Sequence, residues 1–321
     1  MITKPSVRNS TVYEIRILKK VQTNENEKKE EGRLLLTMRC SILLLPDSLN
    51  TLAKEMCPEL GGKGEMDHNS ITLESLENPS DVKRYRSYLT QDVILLARIM
   101  QLTQDFFWEN FMIDIVTKLT IAALAFAIFR MDYYDDEKHR MYIPNQNADK
   151  FIRRGYFGGH SDVYKPVGEN VYVYDVNSLY PSVMVGNKFP GGKPVWHSDL
   201  SKRKLDELFG FIEALVISPS THKPFLPTRH PEEKSLYFPE GTIFGVHYTE
   251  ELKYAETLGY KVIPCCGYLF EPMDSPFDSY VTDIYARSQK PKHPVRQYMP
   301  ICLRSLHMRK RMLQRDRVAK K

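Results

Sequence analysis

Valine and tyrosine alternate over residues 171–174, the composition of a buried strand, and a turn through Asn177 and Ser178 follows. Further strands are expected at 12–18, 210–217 and 260–263, with a hairpin over 235–249. Helical spacing marks 48–56, where Leu49, Leu52 and Met56 share a face behind Asp47 or Ser48 as a cap. Helices are also expected at 85–100, 119–130, 200–208, 250–258 and 277–289, and the apolar run 34–45 ends at Pro46. Between them lie the charged connector 24–32, the turn-rich 61–68, a polar linker over 131–147, and a glycine and proline run, 186–194, read as a turn. This order of short strands and helices is that of an α+β protein.

At 321 residues, two or three modest domains fit. Lys and Arg number 45 against 40 Asp and Glu, an excess that permits a nucleic-acid partner without requiring one. The five cysteines include no C-x-x-C pair, which argues against a zinc site or a disulfide framework and fits a reducing compartment or organelle matrix. No cationic-then-apolar signal opens the chain, and the most hydrophobic run, 119–129, is too short to span a bilayer, so no membrane partner is expected.

The chemistry centres on Asp175. An unpaired acid at the end of an apolar strand is costly unless solvated or paired, and a hard cation supplies the pairing. Asp175 with a neighbouring backbone carbonyl suits Mg²⁺, which takes few protein carboxylates alongside substrate phosphates. The plain alternative is a solvated Asp at a strand-to-turn edge. Residues 175–183, DVNSLYPSV, resemble motif A (D-x-x-S-L-Y-P-S) of the family B DNA polymerases, in the YDVNSLYP form of the protein-primed branch that includes linear mitochondrial plasmid polymerases. The resemblance implies that Asp175 is the catalytic metal ligand, with the backbone carbonyl of Val176 beside it. It also implies that the Ser178 and Leu179 amides face the incoming dNTP, and that Tyr180 lies under its sugar and excludes a 2′-hydroxyl.

Other segments support the likeness. The 43–64 region resembles the LLPxSLxxLAK…KG segment of the exonuclease domain in that branch, and Tyr88 and Asp92, one helical turn apart, resemble its third exonuclease motif. There the Asp ligates a metal and the Tyr orients the attacking water; a surface Tyr-Asp pair is the plain alternative. No Asp precedes Asp47, so the carboxylates that a two-ion nuclease needs are missing and proofreading by this polypeptide is not expected. Asp135 and Glu137 spell D-x-E but read as a solvated acidic loop. Arg154, Tyr156, Phe157, Gly158 and Gly159 resemble the Y-x-G-G motif, which implies contact with template DNA; aromatic rings stack on bases and arginines neutralise phosphates.

Motif B, K-x-x-x-N-S-x-Y-G, corresponds to 300–308, where Pro300, Arg304, His307 and Met308 replace the Lys, Asn, Tyr and Gly. Proline inside a helix costs roughly 3 kcal/mol, and loss of the lysine removes charge stabilisation from phosphoryl transfer. Arg287, Arg296 and Arg304 are the cations left to meet a triphosphate. No D-x-D of motif C occurs anywhere, and the chain closes on a basic run, 308–321.

The resemblance therefore implies an incomplete ribonuclease-H-like exonuclease domain (1–115), then a linker and palm start with motif A (116–186). An α+β insertion like the priming-protein region (187–275) and a partial helical fingers domain with a basic tail (276–321) follow. The implied function is DNA-directed DNA polymerase, with Mg²⁺ as cofactor, primer-template DNA, dNTP and a terminal priming protein as partners, in the mitochondrial matrix. The competing reading is a catalytically inactive remnant that binds DNA or a partner protein.

Overall fold

The computed structural model describes residues 6–8, 11–20, 32–158, 163, 165–176, 178–220, 224–230, 232, 235–289 and 295. These form two compact units, one holding the described residues up to Tyr133 together with those from Ser279, the other Tyr134–Asp278.

The first unit opens with an antiparallel sheet of β1 (Ser6–Arg8), β2 (Thr11–Lys20) and β3 (Gly32–Arg39), in that order. Helix α1 (Leu49–Met56) starts at Ser48, whose hydroxyl accepts from the Thr51 amide at 3.1 Å, and buries Leu52, Ala53 and Met56. It packs on α3 (Pro79–Phe111), which follows the short α2 (Leu73–Glu77) and begins with Asn78 as cap and Pro79 in the first turn. The helix expected at 85–100 is the middle of this 33-residue element. Helix α4 (Ile121–Ile128) is capped by Thr120 and runs into a wider turn, Phe129–Tyr133. Phe129 and Tyr133 meet Tyr280 of α8 (Asp278–Ser288) edge-on at 5.8 and 5.3 Å. No described helix is long and apolar enough to cross a membrane.

The second unit is built on an antiparallel sheet, β4-β9-β5-β8, of β4 (Phe189–His197), β5 (Gly210–Ile217), β8 (Thr242–Tyr248) and β9 (Lys261–Met273). Ile212, Ala214 and Val216 alternate inward along β5 and share a core with Leu252 and Ala255 of α7 (Thr249–Thr257). Helix α5 (Gln146–Arg154) and the short α6 (Leu179–Met184) complete it, with a small pair, β6 (Thr228–Arg229) and β7 (Leu236–Tyr237).

Four expectations are corrected here. Residues 171–176 are extended but pair with no described strand, and Val171, Tyr172, Val173 and Tyr174 are between 73% and 92% exposed. Composition gives a segment strand preference, whereas burial needs a neighbour to pair with. The 186–194 run is not simply a turn: from Phe189 it is edge strand β4, which absorbs its glycines and prolines at a bulge between Gly191 and Val195. The helix expected at 200–208 is one short turn, Leu205–Glu207. The 235–249 hairpin does not form, because β7 pairs with β6 while β8 pairs with β5.

Candidate functional site

The motif A turn is locally determined. Ser178 adopts a left-handed conformation (φ 52°, ψ 46°) and caps α6, turning the chain sharply after the extended 171–176 segment. Pro181 fits because the first helical turn leaves amides without intrahelical partners in any case. Pro181 and Met184 are buried. The Ser275 hydroxyl donates to the Met184 carbonyl, and the Gly186 amide donates to the Asp278 carboxylate at 3.0 Å. Lys188 donates to Asp274 and holds that carboxyl below its ordinary range. Helix α6 is thereby fastened to the end of β9, while the residues before it project.

Asp175 is exposed and makes no hydrogen bond or ion pair with the described residues. Val176, Leu179 and Tyr180 are exposed at 61%, 50% and 50%, and Ser178 is half-buried. Nothing described encloses these groups into a pocket for a triphosphate. Among the described residues, no three His, Cys, Asp or Glu side chains gather to hold a metal ion. One exposed carboxylate does not fit a two-ion centre, which needs several ligands converging on ions about 3.5–4 Å apart.

The Y-x-G-G segment lies at the end of α5. Gly155 stops the helix and seats it on the sheet, where a Cβ would come within 3.0 Å of Val246 Cγ1 and 3.1 Å of Phe211 Cδ1. Arg154 pairs with Glu213 at 2.6 Å, and Arg229 donates to the Tyr156 carbonyl at 3.0 Å with its guanidinium 5.6 Å from the Phe157 ring centre. Tyr156 is 40% exposed, Phe157 is half-buried and Gly158 is exposed. The rings are thus presented, whereas both arginines are already engaged. Glu213 and Arg229 have no sequence signal, because they reach the motif from β5 and β6.

In the other unit, Tyr88 and Asp92 do share one face of α3. Lys63, from the turn-rich 61–68 segment, reaches them both: its ammonium lies 3.5 Å from Asp92 and 5.5 Å from the Tyr88 ring centre. Tyr88 and then Asp92 keep that lysine charged, raising its pKa. The second Asp92 oxygen is buried without a hydrogen-bond partner among the described residues. A lysine therefore neutralises the carboxylate expected to hold a metal. Asp135 accepts from the Glu137 and Lys138 amides at 3.0 and 3.2 Å, as a solvated loop acid does. Arg287 pairs with Asp283 at 2.8 Å, stacks 5.2 Å from the Phe111 ring centre, and shares Asp283 with the Tyr133 hydroxyl. Gly159, Arg296, Arg304 and the motif B stretch 300–308 lie outside the described residues.

Comparison with known proteins accounts for these scattered pieces. A family described as DNA polymerase type B, organellar and viral, matches residues 69–301. A probable DNA polymerase of Podospora anserina is 31% identical over 287 residues, covering 80% of this chain and 24% of its own length. One from Neurospora intermedia is 31% identical over 329 residues, covering 88% of this chain and 33% of its own length. The phi29 DNA polymerase complexed with primer-template DNA and incoming nucleotide substrates shares the fold with a TM-score of 0.68 at 17% identity, covering 93% of this chain and 52% of that one. This chain spans 24% and 33% of the length of the two fungal relatives. Matched over most of its residues, and carrying the motif A turn on a fold shared with phi29 DNA polymerase, the chain belongs to the type B DNA polymerases of organelles and viruses.

Proposed function

We propose that this chain is the part of a protein-primed DNA polymerase that runs from the tail of an exonuclease domain (1–115), through the palm start (116–186) and an insertion (187–275), into the fingers (276–321). Its activity on this reading is template-directed addition of dNTPs to a primer end during replication of organelle or plasmid DNA, in the mitochondrial matrix. The observation that carries it is the left-handed turn at Ser178, which presents Asp175 and the first amides of α6 from an anchored base. Asp175 and the Val176 carbonyl then contribute one part of a Mg²⁺ site, the other carboxylates coming from polypeptide beyond these residues. Primer-template DNA and dNTP are the partners, the first nucleotide being added to a terminal priming protein. Tyr156 and Phe157 meet the template strand, and Tyr180 lies under the incoming sugar.

Primer extension with Mg²⁺ by the purified chain joined to the polypeptide that supplies the other carboxylates, against the same protein carrying Asp175→Asn, tests the reading. The substitution is expected to lower incorporation by about 10³-fold, the scale of several kcal/mol of lost charge stabilisation. Equal incorporation by the two proteins overturns the role given to Asp175. A second reading, an inactive chain that binds DNA, draws on the exposed position of Asp175 and the lack of neighbouring ligands among the described residues. Its outcome is different: no incorporation by either protein, and equal affinity of both for primer-template DNA.

A further inference from the structure

A pocket of about 790 Å³ opens in the second unit and shares no lining residue with the Y-x-G-G segment. Lys138, Arg140 and Tyr142 line it from the linker before α5, Gly192 and Lys193 from β4, and Glu271 from β9. Backbone contacts bring the two cationic segments together. Met141 forms a parallel bridge with Gly192, and the Gly192 amide donates to the Arg140 carbonyl at 3.4 Å. Tyr134 pins the linker in turn: its hydroxyl donates to the His139 carbonyl at 2.8 Å and accepts from the Met141 amide at 3.3 Å.

The wall is basic and its charges are presented. Lys138, Arg140 and Lys193 are exposed, and the Lys193 ammonium lies 5.9 Å from the ring centre of Tyr142, itself 50% exposed. Two acids share the lining, Glu271 and Asp274. Lys188 holds Asp274, and Asp135 holds Lys138 at 3.7 Å. With those partners counted, Lys138, Arg140, Lys188 and Lys193 stand against Asp135, Glu271 and Asp274, a net positive charge. The same wall reaches the base of the motif A turn. Asp274 takes Lys188, just after α6, and the neighbouring Ser275 donates to the Met184 carbonyl.

We propose that this pocket holds the sugar-phosphate backbone of a DNA strand, with Arg140 and Lys193 as its phosphate contacts. For its ligand the site rests on the polymerase reading, and a chain that binds DNA without copying it would show the site equally. A guanidinium meets phosphate oxygens as a two-pronged donor, whereas an ammonium meets them as a point charge. Tyr142 offers a flat face to the sugar or to an unstacked base. Contacts of this kind carry no sequence information but fix the register of a strand, as copying an arbitrary template requires. Because the wall shares its anchors with α6, a strand held here is placed relative to the motif A turn. Glu271 opposes the phosphates, so its charge weakens the contact.

Fluorescence-anisotropy titration of the whole chain with a labelled primer-template, at salt from about 50 to 200 mM, tests the site. Binding is measured without dNTP or Mg²⁺, so the result stands or falls apart from incorporation. Each phosphate contact adds about 0.7 to 0.9 to the slope of log affinity against log salt. Arg140→Gln and Lys193→Gln are each expected to lower the slope by that amount, weakening binding about fivefold at about 0.1 M salt. The double variant is expected to lose about twice the slope. Glu271→Gln is expected to tighten binding about twofold, as removal of a like charge near phosphate does. Lys253→Gln, at a lysine already held by Glu250 at 2.7 Å, is the control and leaves the slope unchanged. Four outcomes each overturn the site: no binding of primer-template by the parent; a double variant with the parental slope, or an equal fall in Lys253→Gln; weaker binding by Glu271→Gln; or tighter binding of poly-L-glutamate than of DNA, lost in the double variant.

Discussion

His247 lies on β8, 1% exposed, with neither ring nitrogen hydrogen-bonded among the described residues. Burial holds its pKa down from 6.5 to about 4, so the folded unit keeps the imidazole neutral while the unfolded chain takes up a proton first. Stability from this residue is therefore intact above pH 6.5 and is lost as pH falls towards 4, by about 3 kcal/mol. Urea unfolding at pH 7 and pH 4 measures it, followed by Trp196 in a Trp108→Phe background so that the signal reports this unit alone. His247→Leu is expected to lose about 3 kcal/mol less than the parent between the two pH values; equal losses would show that another group dominates. Residues differ in how far the sequence reveals them. The turn at Ser178 was legible because it is set by neighbours within a few positions. Lys63, Glu213 and Arg229 were not, because each acquires its partners from segments remote in the chain.

Strand pairing shows the same division between elements. The apolar run 210–217 was expected to be a strand and is β5, whose register with β8 and β9 buries Ile212, Ala214 and Val216. The valine and tyrosine run at 171–174 carried as strong a signal but found no partner among the described strands. Helix α5 was not expected: only Gln146 and Asn147 fall in the polar linker 131–147, and with Ala148 as its one buried residue the segment offers few apolar positions to mark a helix. What fixes the sheet is close backbone approach. A Cβ on Gly267 would strike the Phe211 carbonyl and lie 2.6 Å from Ile212 Cα, whereas one on Gly245 meets nothing nearer than His247 Nε2 at 3.5 Å. Gly267→Ala is thus expected to destabilise the unit by roughly 1–3 kcal/mol through overpacking. Gly245→Ala should change it little. The same Trp196-monitored unfolding decides between them, and equal effects would mean that the β5-β9 contact relaxes without cost.

At the scale of the whole chain, the two units expose apolar surface of a kind that folded domains cover. Leu34, Leu35, Leu36 and Met38 on edge strand β3 are 51–58% exposed, and adjacent positions show that both faces of the sheet are open. The 171–174 run adds four more exposed side chains beside backbone that joins no ladder among the described residues. Sequence pattern predicted that these segments were strands or apolar runs, yet it held no information on what lies against them, since that is a property of the assembled fold. An edge strand of this composition recruits other chains through its free amides and carbonyls. Sedimentation velocity of the purified chain is expected to show concentration-dependent association from about micromolar upward, the range in which exposed apolar edges associate. Leu36→Lys places a charge on the β3 edge and is expected to shift the distribution towards monomer, and Tyr172→Lys tests the second surface separately. If both variants sediment as the parent does, association runs through neither strand; if the parent stays monomeric at about 100 µM, well inside that range, the two surfaces are too broken by the flanking charges Arg39, Lys165 and Glu169 to act as edges.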